Sequence, residues 1–141
     1  MERWKFIIYR KEDNMRETIL LFHFTDREKR NKIAGALFPL KLKIKEVEKK
    51  DYLQPIGFLA GNKDIPPVEE EYEGEELEAE MLVMAGISGP RMDMVLRAIR
   101  KSGAGSIPYK AAMTPTNQYW NPVQLFGEIK EEHEKMHGKK E

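Results

Sequence analysis

The sequence predicts a three-layer α/β domain, with a small four-stranded sheet in spatial order 2-1-3-4 and helices on both faces. Three observations carry this. Residues 19–24 and 81–87 are apolar on both alternating faces, as strands are when covered above and below. A strand-helix-strand pattern occurs twice, at about residues 18–47 and 81–113, as a repeat of architecture. The connector between the two units holds a short helix that can cover the second sheet face.

In chain order, residues 1–14 read as an N-terminal extension, with Met15 a plausible second start just before the first strong strand; alternatively residues 4–9 form an extra edge strand. Residues 15–141 read as one domain. The strand at 19–24 is central and is followed by capping-box spacing in Thr25-Asp26-Arg27-Glu28. Arg30, Ile33, Ala34 and Leu37 then recur at helical intervals. Residues 40–45 alternate strictly and place Lys41, Lys43 and Lys45 on one face, the guard of an edge strand. Gln54-Pro55 starts a connector helix that Gly61 stops, and residues 62–80 become proline-rich and then acidic, as a solvated loop does. The second central strand, 81–87, leads to Gly89-Pro90 as cap and first-turn proline, a stripe of Met92, Leu96 and Ile99, and Gly103 as a left-handed stop. Residues 107–113 contain Pro108, which cannot donate to a ladder and assigns this strand to an edge. Asn121-Pro122 opens the last helix, whose stripe is Leu125, Phe126, Ile129, His133 and Met136. Were the connector only an elaborated loop, the same elements would make a ferredoxin-like α+β sheet with its helices on one face. The two doubly apolar strands favour the parallel, three-layer arrangement.

Composition bounds the partners. Twenty-four basic and 24 acidic residues cancel, so no global field attracts a polyanion and no nucleic-acid or anionic-membrane partner is expected. Without cysteine there is no disulfide framework or thiolate chemistry. The apolar run at 4–9 is too short and too charged for a signal peptide, and no stretch approaches a membrane span, so a cytoplasmic location is expected.

Residues 81–117 resemble the second half of a response-regulator receiver domain: a strand, the loop Gly89-Pro90-Arg91-Met92-Asp93, a helix, then Ile107-Pro108 and a strand ending at Thr114. That likeness implies a flavodoxin-like or receiver-like fold but not the chemistry. Ala85 stands where the phosphate-accepting aspartate would be, and His23 and Phe24 where the acidic pair would be; Thr114 alone matches a functional residue. A closer resemblance, over about residues 16–136, is to a bacterial family known as domain of unknown function 3783. It is carried by Gln54-Pro55-Ile56-Gly57-Phe58-Leu59-Ala60-Gly61, by Lys110-Ala111-Ala112-Met113-Thr114-Pro115-Thr116-Asn117, and by Trp120 and Glu132-His133. It implies no particular activity.

The candidate site is the polar loop at 110–120. Lys110, Thr114, Thr116, Asn117 and Trp120 gather a cation, hydroxyls, an amide and an indole between a strand and a helix, and such loops border the crevice where α/β domains bind ligands. A structural reading fits the same residues: Pro115 fixes a turn and Thr116 or Asn117 satisfies loop amides. Gln54 and Gly57 join the candidate surface, although a helix start explains them too; no phosphate-loop or dinucleotide string follows Gly57. His133 and His137 match zincin spacing, but a catalytic zinc needs a third ligand, and His133 falls on an apolar stripe, so no metal site is expected. His23 lies in a hydrophobic strand, where a hydrogen-bonded structural histidine is the expectation. The function predicted is a noncatalytic regulatory or protein-interaction domain, needing no cofactor, with the loop at 114–120 as its contact surface for an unknown protein partner. The alternative is a small-molecule-binding domain or enzyme using Lys110, Thr114, Thr116 and Asn117.

Overall fold

The structure, a computed structural model, describes residues 16–138, with side chains described through Met136. The extension at 1–14 and the alternative edge strand at 4–9 lie outside the described residues.

The elements follow in the order β1 (Thr18–Phe22), α1 (Arg27–Leu37), β2 (Lys43–Val47), α2 (Ile56–Leu59), β3 (Met81–Ala85), α3 (Gly89–Lys101), β4 (Tyr109–Ala112) and α4 (Pro122–Gly138), with 3-10 turns at Phe38–Leu40, Lys49–Asp51 and Asn117–Tyr119. The four strands form one sheet in the order β2-β1-β3-β4, as the sequence predicts. Every residue of β1 and β3 is buried. Their side chains alternate between two cores. Ile19, Leu21, Leu82 and Met84 meet Ile33 and Leu37 of α1 and Val95 and Ile99 of α3 on one face. Leu20, Phe22, Met81 and Val83 meet Tyr52, Ile56, Leu59, Leu77, Leu125 and Phe126 on the other. Each fully buried Leu, Ile or Phe contributes roughly 1.5–3 kcal/mol by leaving water, so both faces need their cover.

Strand direction departs from the expected all-parallel sheet. β1 pairs parallel with β2 and β3 parallel with β4, but the central pair β1–β3 is antiparallel, with Leu20 opposite Val83. The physical reason lies in the connector. It leaves β2 and enters β3 at the same end of the sheet, so it packs on one face as cover rather than serving as a crossover, and no parallel return is required. Apolarity on both faces reports burial and carries no information on direction. Helices on both faces exclude the ferredoxin-like alternative, and the antiparallel central pair departs from the parallel sheet of receivers.

Local boundaries shift for identifiable reasons. Asp26, not Thr25, caps α1: its Oδ1 accepts from the amides of Glu28 at 3.0 Å and Lys29 at 3.3 Å. Ala34 is exposed rather than part of the α1 stripe. Lys41 leaves the expected lysine face because it sits in a left-handed turn at φ 58° before β2 begins. Ser88 caps α3, accepting from the Arg91 amide. Gly61 and Gly103 hold positive φ, 97° and 78°, as the chain stops there require. Asn121 and Gln124 cap α4 reciprocally, each side-chain oxygen accepting the other's amide at 2.9 Å. The α4 stripe runs from Leu125 through His133, which meets the Tyr109 ring edge-on at 5.5 Å, while Met136 is exposed.

Candidate functional site

β4 ends at Ala112, and the chain turns through residues 114–116 into the 3-10 turn Asn117–Tyr119. Asn117 organises this turn from a buried position. Its Oδ1 accepts from the Thr114 amide at 2.7 Å, its Nδ2 donates to the Ala112 carbonyl at 3.1 Å, and its own amide donates to Thr114 Oγ1 at 3.0 Å. The turn is tied across to α2 and the residues that follow it: the Ile56 amide donates to the Trp120 carbonyl at 2.8 Å, and Asn62 Nδ2 donates to Gln118 Oε1 at 3.2 Å. Gly57 permits this approach. A β-carbon there would run into the Ile65 side chain and lie 3.1 Å from the Gln118 carbonyl oxygen.

The two sequence strings of the candidate site are therefore packed against each other. Gly57, Asn117 and Trp120 come together. Gln54 is adjacent, but its amide faces the connector, donating to the Val68 carbonyl at 2.8 Å and accepting from the Val68 amide at 2.9 Å, as a strand partner would. Lys110 is not brought in. It pairs in register with Leu82, which belongs to the α1–α3 core, so it stands on the opposite sheet face from Trp120. There it is exposed, its Nζ donating to the Ile107 carbonyl at 3.0 Å. Thr114, Pro115, Thr116 and Tyr119 are exposed, and Trp120 is half-buried against the second core.

A second polar cluster escapes the sequence reading. Glu76, in the acidic connector, accepts on Oε2 from the Tyr52 hydroxyl at 2.5 Å and from the Leu77 amide at 2.9 Å, and its Oε1 lies 3.4 Å from His23 Nδ1. Burial, reinforced by the Glu76 hydrogen bond, pushes the Tyr52 phenol above its ordinary pKa. His23, expected within the strand, instead stands one residue past β1 with φ 65°, and Nδ1 has no hydrogen-bond partner among the described residues. Nothing in the sequence distinguishes Glu76 from the other carboxylates of its run. What could have signalled it is Tyr52, a large ring with a polar tip beside an apolar helix, which needs an acceptor once buried.

Among the described residues no three His, Asp or Glu side chains gather in a metal-holding arrangement, and the His137 side chain lies outside them. No helix of the described residues is long and apolar enough to cross a membrane.

Fold and site together define a small α/β domain with a mixed sheet, whose conspicuous polar loop is bonded mainly to its own backbone. Residues 80–136, from β3 through most of α4, match the family described as Domain of unknown function (DUF3783). The match contains the loop at 114–120 and leaves Gln54 and Gly57 outside it. No curated protein and no solved structure matches the chain.

Proposed function

We propose that this chain is a noncatalytic protein-interaction domain whose contact surface is the outer side of the loop at 114–120. The observation that carries this reading is Tyr119, 65% exposed on a turn whose base is the buried Asn117. A ring carried on a backbone turn that is already fixed costs less ordering on binding than one on a loose loop, and aromatic rings dominate the energetics of protein interfaces. Pro115 and Thr116 flank it on the same exposed turn. The small-molecule or enzymatic alternative draws on Lys110, Thr114, Thr116 and Asn117 acting together, yet Lys110 is across the sheet and the Asn117 amide is spent on backbone partners.

A photo-crosslinking residue at position 119, compared with one at the exposed Glu132 of α4, tests the reading in cells of the source organism. A discrete protein adduct from position 119 and none from 132 is expected. Equal labelling from both, or no protein adduct from 119, would overturn it.

A further inference from the structure

The balanced net charge conceals a separation. Helices α1 and α3, with the turn that follows α1 through Lys41, carry nine basic side chains against Glu28 and Asp93, and they form one outer layer. Residues 62–80 of the connector carry nine carboxylates against Lys63, and the connector's Leu77 is packed in the core of the opposite sheet face. Four of the nine cations are paired within the molecule, as Lys29–Glu80, Arg30–Glu46, Lys32–Glu28 and Arg91–Glu17. Arg27, Lys41, Arg97, Arg100 and Lys101 have no carboxylate partner among the described residues.

Apolar surface accompanies the unpaired cations. Ala36, Pro39 and Leu40 face Met94, Arg97, Ala98 and Lys101 across a shallow groove of about 310 Å³. Phe38 stands beside it 81% exposed and Met94 is 43% exposed. A monomer gains nothing by holding a phenyl ring in water, and an aromatic beside a basic groove fits an acidic segment with an apolar anchor. The chain itself carries such a segment. Residues 66–71, Pro-Pro-Val-Glu-Glu-Glu, are exposed throughout, with Val68 at 41%. They are nonetheless fixed, by the paired bonds between Gln54 and Val68 and by the Tyr72 amide donating to the Lys50 carbonyl at 3.0 Å.

We propose that the groove between α1 and α3 docks the acidic segment 66–71 of a second copy of this chain. Groove and segment lie on opposite faces of one sheet, so they cannot meet within one molecule. The contact is head-to-tail, and each copy added leaves one groove and one segment open for the next. Much of the attraction is between exposed charges, so salt weakens it, while the Phe38 contribution persists.

Sedimentation velocity of the full chain over a range of concentrations, at low and at high salt, tests this, with unchanged far-UV circular dichroism as the control for folding. At low salt the average mass is expected to grow with concentration past that of a dimer, and at high salt to fall back toward the monomer. The groove variant Arg97→Glu with Lys101→Glu, and the segment variant Glu69→Lys with Glu70→Lys and Glu71→Lys, are each expected to stay monomeric. Mixing the two variants is expected to restore association, because each then offers the charge that the other has lost. Phe38→Ser is expected to weaken assembly at both salts. A monomer under all conditions, an assembly that stops at the dimer, failure of the mixed variants to associate, or binding of an oligonucleotide to the basic face without self-association would overturn the proposal.

Discussion

Thr114 and Asn117 cap each other: the Asn117 side chain accepts the Thr114 amide at 2.7 Å, and the Thr114 hydroxyl accepts the Asn117 amide at 3.0 Å. This reciprocity separates scaffold from surface within one short loop. Asn117→Ala leaves the Thr114 amide and the Ala112 carbonyl without their partner and is expected to cost about 1–3 kcal/mol. Thr116→Ala, on the exposed side, is expected to cost less than about 1 kcal/mol. Denaturant unfolding of the two variants checks the difference; equal costs would mean that Asn117 does not hold the turn.

Gly57 of α2 lies against the loop with no room for a β-carbon. Gly57→Ala places a methyl group against Ile65 and the Gln118 backbone, and overpacking of this kind costs about 1–3 kcal/mol. Hydrogen exchange should show the Ile56 amide, which donates to Trp120, losing protection in the variant. Unchanged stability and protection would show that the two segments part without cost.

Alkaline pH should expose the Tyr52–Glu76 bond. In the unfolded chain Tyr52 ionises near pH 10, whereas in the folded chain burial and Glu76 hold its proton to higher pH. The folded state then binds more protons than the unfolded one above about pH 10, so stability falls as pH rises there, by up to about 1.4 kcal/mol per pH unit from this group. Tyr52→Phe removes that slope while losing the Glu76 hydrogen bond at neutral pH. Unfolding curves at several alkaline pH values for parent and variant provide the measurement, and identical slopes would contradict the assignment.

Ala85, fully buried at the end of β3, offers no carboxylate to accept a phosphoryl group, and the antiparallel β1–β3 pairing sets it opposite Thr18, away from His23 and Phe24. Acetyl phosphate with magnesium is accordingly expected to leave the intact mass unchanged. An acid-labile adduct of one phosphoryl group would reverse this expectation.

The strand order and the layers were legible because β3 is apolar at every position and β1 at every position after Thr18, and only a sheet covered on both faces buries such strands. Helix stops at Gly61 and Gly103 were equally legible, since left-handed backbone selects glycine. Direction was not, because burial of Leu20 and Val83 is the same whichever way β3 runs. Within the candidate site, adjacency in sequence misplaced Lys110: the period of two in β4 sends it to the other face, a consequence visible only when Lys110 is set opposite Leu82. Glu76 was hidden for a different reason. Its role depends on Tyr52 and His23, distant in sequence, and no local pattern marks which glutamate of an acidic run will reach them.

The antiparallel register of β1 and β3 makes the chain resemble two tethered subunits. Each half, β1-α1-β2 or β3-α3-β4, keeps one outer edge of the sheet, and neither can cover its own fully buried central strand. The central ladder is in effect a dimer interface made within one polypeptide, with the connector setting the local concentration of one half for the other. A single cut within residues 66–71, which are exposed, would sever the tether while leaving the interface in place, so the domain should endure a break in its chain better than separation of its halves.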